Sequence, residues 1–262
     1  MFHPSRLLLL CLIGCPGCLS IQVQAPVAPP QVTIASAQIL QLVKEGIWHP
    51  TYQWGTYRIT DVDNGWRTQT SGTLLELFDT PGSGLRVTQK FSFTLSDAAE
   101  TIQVAANFSS RRREDDSAIH FTPVADSQGH DAPDPYGDRC EGHLYQGAST
   151  NSWHFDLRRT ASHGNYSSGT LLNEQGAADL ALELFTADAS DFTAMRQVTF
   201  RQGKQIIAQL NLYDDNPPLT LQQDLPAATR RQVVAMAFLM VSFAQFQESV
   251  TEALEHPSNP TE

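Results

Sequence analysis

Leu85-Arg86-Val87-Thr88-Gln89-Lys90-Phe91-Ser92-Phe93 places apolar side chains at alternate positions, with charged and hydroxyl residues between them. A side-chain period of two belongs to a strand with one face in a core and the other in water. Ile102-Gln103-Val104 repeats the rhythm, and the turn-forming runs Asp61-Val62-Asp63-Asn64-Gly65 and Thr80-Pro81-Gly82-Ser83-Gly84 punctuate the chain before it. The reading is a mainly β, α+β protein of antiparallel sheets built from hairpins, with flanking helices.

Comparing the chain with itself extends this reading in both directions. Ser71-Gly72-Thr73-Leu74-Leu75 recurs as Ser168-Gly169-Thr170-Leu171-Leu172, each copy preceded by a tryptophan, Trp54 or Trp153. Downstream, Gln89-Lys90-Phe91-Ser92-Phe93 resembles Arg196-Gln197-Val198-Thr199-Phe200, and the stretch from Ile102 to Phe108 matches that from Ile206 to Leu212. The order of the matches is the same in both halves, although their spacing drifts. Two alternatives stand open: chance matches, or a duplicated module giving β-lobes at 48–112 and 145–215. Between the lobes, 113–144 reads as a strand at 118–124 followed by a long polar loop at 125–139.

On the N-terminal side, Ile39, Leu40, Val43 and Ile47 fall at helical spacing and Gly46 offers a stop, so 33–47 is expected to be a short amphipathic helix. On the C-terminal side, 216–256 reads as a linker and a long helix, with Asp224 as cap, Pro226 in the first turn and Pro257 as stop, before a tail at 257–262. Residues 232–247 carry no charge, and Val233, Val234, Met236, Phe238, Leu239, Met240, Val241, Phe243 and Phe246 go round the whole cylinder. Such a helix must be covered on most sides. Its polar flanks and length argue for a central packed element rather than a membrane span.

The chain has 262 residues, 41% of them hydrophobic, with 28 Asp and Glu against 17 Lys and Arg, for a formal net charge of −11. A chain of this size buries enough apolar surface to fold without staples. The acidic balance leaves no broad basic face, so nucleic acid is not an expected partner. Arg111-Arg112-Arg113 is neutralised at once by Glu114-Asp115-Asp116.

The first residues carry an address. Arg6 is followed by Leu7-Leu8-Leu9-Leu10-Cys11-Leu12-Ile13, a charged region and a short apolar run of the kind found in secretory signals. Leu12-Ile13-Gly14-Cys15 at its end resembles the lipobox of bacterial lipoproteins. The resemblance covers residues 1–15 alone. It implies a signal peptide at 1–14, cut before Cys15, whose thiol is joined to diacylglycerol and whose new amino group is acylated. Pro16, where an aspartate would favour the inner membrane, points by the same resemblance to the outer membrane, on its periplasmic side. The prolines of Gln22-Val23-Gln24-Ala25-Pro26-Val27-Ala28-Pro29-Pro30 then read as an extended tether, making 15–32 anchor and leash.

Candidate sites are sparse. His120, His130, Asp131, Asp134, Asp138, Cys140 and His143 are metal-ligating types in one polar stretch, yet no paired zinc motif is present, and the reading is a solvated acidic loop with no metal site and no cofactor. Cys18 and Cys140 could pair, with a free Cys140 the alternative. Trp48, Tyr52 and Trp66 lie close in sequence and could stack on sugar rings, with core packing as the competing role. There is no G-x-S-x-G, H-E-x-x-H or Walker loop, and no catalytic residue is singled out. The functional expectation is a lipid-anchored envelope lipoprotein that binds or assembles with another envelope component without chemistry. The alternatives are a carrier of a lipophilic ligand in a sheet-and-helix cavity and, third, an envelope glycan hydrolase.

Overall fold

The computed structural model describes residues 34, 36–46, 50–71, 84–113, 137–147, 152–159, 166–186 and 195–255. Thirteen strands are followed by one helix. The strands are β1 (Ala37–Glu45), β2 (Thr51–Trp54), β3 (Tyr57–Asp63), β4 (Arg67–Ser71), β5 (Gly84–Ser96), β6 (Thr101–Arg113), β7 (Gly137–Gln146) and β8 (Ser152–Arg159). They continue with β9 (Tyr166–Leu172), β10 (Ala178–Thr186), β11 (Met195–Gln202), β12 (Gln205–Asn211) and β13 (Pro218–Gln222), and the helix is α1 (Ala227–Glu255).

Consecutive strands pair antiparallel, except β3 with β4, and β1 pairs with β13 to complete the ring. Strands β3 and β4 lie end to end against β5, β3 along its second half and β4 along its first. They make one stave, broken at Asn64-Gly65-Trp66, so the sheet is a closed barrel of 12 staves. A register shift before Asp63 marks the approach to that break, and Asp61, at φ 53°, turns the chain there.

The alternation read in 85–93 runs round the barrel. Leu85, Val87, Phe91, Phe93 and Leu95 of β5 are buried, as are Ile102, Val104, Ala106 and Phe108 of β6, whereas Arg86, Lys90, Gln103 and Asn107 are exposed. Leu180, Leu182 and Leu184 of β10, Val198 and Phe200 of β11, and Leu219 and Leu221 of β13 continue the apolar lining. The outer wall thus carries charge, amide and hydroxyl groups, the reverse of a barrel whose apolar band faces lipid.

Helix α1 fills the lumen. Residues 231–240 are buried without interruption, which requires wall on every side of the helix. The ring of Phe238 meets Tyr52 of β2 at 4.9 Å and Phe93 of β5 at 5.0 Å, while Phe243 and Phe246 meet Phe108 of β6 at 5.3 Å and 5.5 Å. The helix also touches β11, nearly opposite in the ring. The 29 residues of α1 span about 43 Å at the usual helical rise, more than the roughly 32 Å height of 13-residue strands tilted as barrels require. Its last turn therefore emerges at the far rim, where Glu252 is exposed.

Both ends of α1 are fastened. At the rim where β5 turns into β6, the amides of Ala99 and Glu100 donate to Asp97 Oδ1, each at 2.8 Å. Arg231 in the first turns of the helix donates to Asp97 Oδ2 at 3.0 Å and also to Glu100. Burial alone would push the Asp97 carboxyl up, but these bonds hold it below its ordinary range. Toward the other end, Gln247 donates to Asp138 of β7 at 2.6 Å and Arg67 of β4 donates to the Ser249 hydroxyl at 3.0 Å. Connections at the Asp97 rim are short, at 55–56, 97–100, 173–177 and 203–204.

Two inward positions hold glycine for want of room. A Cβ on Gly142 of β7 would lie 2.1 Å from the Ala105 carbonyl oxygen and 2.7 Å from the Phe155 ring, and one on Gly169 of β9 would meet the Leu157 side chain at 2.3 Å. Each glycine faces the residue that covers it across the ladder, Gly142 opposite Phe155 and Gly169 opposite Leu157. A missing side chain lets the wall bend and gives the neighbour a seat.

Three expectations need correction. Residues 33–47 do not form a helix: 37–45 is strand β1, with Leu40 and Leu42 inside and Ile39 (64% exposed) and Val43 outside. The strands do not sort into two lobes, because 48–112 and 145–215 contribute to one continuous ring. The matched segments also differ in strand order: β4, ending at Ser71, pairs directly with β5, whereas β10 stands between β9 and β11. Trp54 is wholly buried at the end of β2 and donates to the Pro217 carbonyl, while Trp153 opens β8 and donates to Asp179, so the two are not equivalent. The expected central packing of the helix holds: Ala227–Ala253 is long and apolar enough to cross a membrane by length and composition, but 83% of its most apolar window is buried inside the barrel. Residues 72–75 of the first repeat copy, 118–124 and the tail at 257–262 lie outside the described residues.

Two predictions follow from this packing. Gly142→Ala pushes a methyl against backbone and should cost several kcal/mol, or folding itself, whereas Gly169→Ala meets a side chain that can rotate and should cost about 1–3 kcal/mol. Denaturant melts of both variants check the ranking. Because the folded pKa of Asp97 lies below its unfolded value, the clasp contributes stability above about pH 4 that is lost as pH falls through the folded value. Arg231→Met should therefore cost about 2 kcal/mol at neutral pH, with the gap from the parent narrowing in acid, as read from melts across pH 2.5–7.

Candidate functional site

The strand geometry disperses most of the residues singled out by sequence. Cys15, Trp48 and, from the polar stretch, His120, His130, Asp131 and Asp134 lie outside the described residues. Tyr52 points inward with its ring on Phe238, a core position, whereas Trp66 is 94% exposed at the β3–β4 break. Those two do not share a face. Cys140 and His143 are three apart in β7, and an odd separation in a strand sends the side chains to opposite faces. Cys140 is fully buried beside the Phe108 position and is a free thiol, while His143 lies on the outer wall. They cannot share an ion. Asp138 faces the lumen and receives the Gln247 amide.

What the fold does assemble is a ladder on the outer wall of β7 and β8. Four successive outward rungs pair Arg139 with Arg158, Glu141 with Asp156, His143 with His154, and Tyr145 with Ser152. The lower rungs form one charge network. Arg139 donates to both carboxylate oxygens of Asp156, at 3.0 Å and 3.1 Å, and reaches Glu141 at 2.7 Å, while Arg158 reaches Asp156 at 2.8 Å. Burial would raise the Asp156 carboxyl, but its two guanidinium partners hold it below the ordinary range. With side chains this exposed each pair contributes well under about 1 kcal/mol, so the network orients side chains more than it stabilises the fold.

The upper rungs are aromatic. The His143 and His154 rings lie 4.9 Å apart with a 47° tilt, and Tyr145 stacks on His143 at 5.9 Å and 27°. Partial burial, and secondarily the charge of His154, hold His143 below the usual imidazole range, so its neutral form prevails at neutral pH. A neutral His143 imidazole accepts a proton, a hydrogen bond or a metal ion. Among the described residues no group of three or more His, Cys, Asp or Glu side chains gathers at one point.

His154 and its partnership with His143 were missed by the sequence reading. The signal was present in the spacing, since the two histidines stand equidistant from the centre of the β7–β8 connection near residues 148–149. Using it requires knowing that 137–159 is one hairpin. Comparison with protein-family models, with curated proteins and with solved structures yields no match to the chain.

Burial pushes the Cys140 thiol well above its ordinary range, with the nearby Asp156 and Glu141 charges adding to the effect. Only the thiolate is reactive. Iodoacetamide should accordingly leave the Cys140 peptide unlabelled in the folded protein and label it fully in denaturant, as read by peptide mass mapping. Native-state labelling as fast as that of a free thiol would contradict this packing.

Proposed function

We propose that the chain is a lipid-anchored bacterial envelope lipoprotein, a non-catalytic binding or assembly protein on the periplasmic side of the outer membrane. The observation that carries the proposal is Leu12-Ile13-Gly14-Cys15 at the end of a short apolar run. Two features of the barrel support it. The lumen is packed with the chain's own helix, so the wall and rims are left to meet a partner. Strand β1 also begins at the rim of short turns, beside Gln223, whose amide donates to the Ser36 carbonyl. A tether ending there would present the opposite rim away from the anchor.

The alternative, a carrier of a lipophilic ligand, needs space in the lumen that Phe238, Phe243 and Phe246 occupy. It would require α1 to withdraw. Glycan hydrolysis, the third reading, gains nothing from the ladder on β7 and β8, where both acids are held by arginine.

Cys15→Ser tests the proposal, because serine offers no thiol for diacylglyceryl transfer. In cells fed labelled palmitate, the parent should incorporate label and partition with the outer membrane. The variant should carry no label and stay uncleaved or become soluble. Equal labelling of the two proteins would refute Cys15 as the anchor, and in-cell cross-linking of the parent identifies the partner.

A further inference from the structure

We propose that His143 and His154 form an open, two-imidazole site on the outer wall for a first-row divalent transition-metal ion, copper(II) ahead of nickel and zinc. The two residues are direct partners in the β7–β8 ladder and both are exposed. Their ring centres stand 4.9 Å apart. A metal–nitrogen bond of about 2.0–2.1 Å puts the ion about 3.2 Å from each ring centre, so two imidazoles on neighbouring coordination positions have centres about 4.5–5.2 Å apart. The observed spacing falls inside that interval without moving the backbone.

The platform is stiff. Strand β7 is paired along its length with β6 as well as β8, and β8 is paired with β9, so neither histidine sits on a free edge. Tyr145, stacked on His143, limits that ring's rotation. Preorganisation of this kind lowers the ordering cost of binding.

The surroundings select the class of ion. The outward carboxylates one rung away, Glu141 and Asp156, are engaged by Arg139 and Arg158, and the Glu174 carboxylate accepts the Ser152 amide. An oxygen-seeking ion such as calcium or magnesium finds no cage there. Two imidazoles with the remaining positions open to water suit copper, nickel and zinc, and among these affinity follows the Irving–Williams order. Such a site holds its ion reversibly and leaves coordination positions for a ligand from another molecule. The inference concerns the barrel wall and stands whether or not the chain is lipid-anchored.

The test uses the full chain in detergent and copper(II) chloride as probe, followed by zinc and calcium chlorides. Titration calorimetry should show copper binding that His143→Ala and His154→Ala each weaken by roughly tenfold or more, with zinc weaker and calcium giving no heat. Electron paramagnetic resonance of the copper-loaded parent should show two nitrogen ligands, a signature the single variants reduce to one. This readout on the parent holds even if a variant folds poorly, and circular dichroism melts of the variants check that they fold. Unchanged copper affinity in both variants, or a parent spectrum without two nitrogens, would overturn the site.

Discussion

A ring of 12 strands encloses a volume that its own inward side chains cannot close. Eight strands make a barrel that side chains fill, and sixteen or more leave a channel. An apolar lining at the intermediate size must be given a filler or be exposed to water, and α1 is that filler. The rest of the architecture depends on this requirement. The helix is apolar on every side because every side faces wall. Its charged and polar contacts with the wall gather near the ends, at Arg231 and at Gln247 and Ser249.

The same requirement explains which parts of the fold could be read from sequence. Alternation in 85–93 and 102–108 identifies strands because one face meets the helix and the other meets water, the condition under which a period of two is cleanest. The helix at 227–255 is legible because a long uncharged run without periodicity has few other homes. What failed is the first strand. Ile39, Leu40, Leu42 and Val43 are all apolar, so the alternation is blurred, and the subset Ile39, Leu40 and Val43 mimics a helical face. Only the wall decides that Leu40 and Leu42 point in and that Ile39 and Val43 point out.

The missing knowledge at the surface is of a different kind. His143 and His154, or Arg139 and Asp156, become neighbours through register, and register is a property of a pair of strands. A single sequence states which residues alternate but not which rung faces which. The apparent duplication has the same origin: strands meeting a common lumen share a common pattern, so short matches recur without a common ancestor module. Closure itself is the least legible step, since β1 and β13 stand at opposite ends of the chain and nothing local in either announces the other.

That pairing of first strand with last has a consequence for the order of folding. Helix α1 follows β13 after only four residues, 223–226, so the stave that closes the ring and the element that fills it are neighbours in the chain. Before both are in place, an open sheet with an apolar inner face and two unpaired edges would be prone to aggregate. The many non-local contacts make spontaneous closure slow as well. A chain cut before residue 227 keeps the wall but loses its filler, so the wall alone has no way to cover its apolar lining.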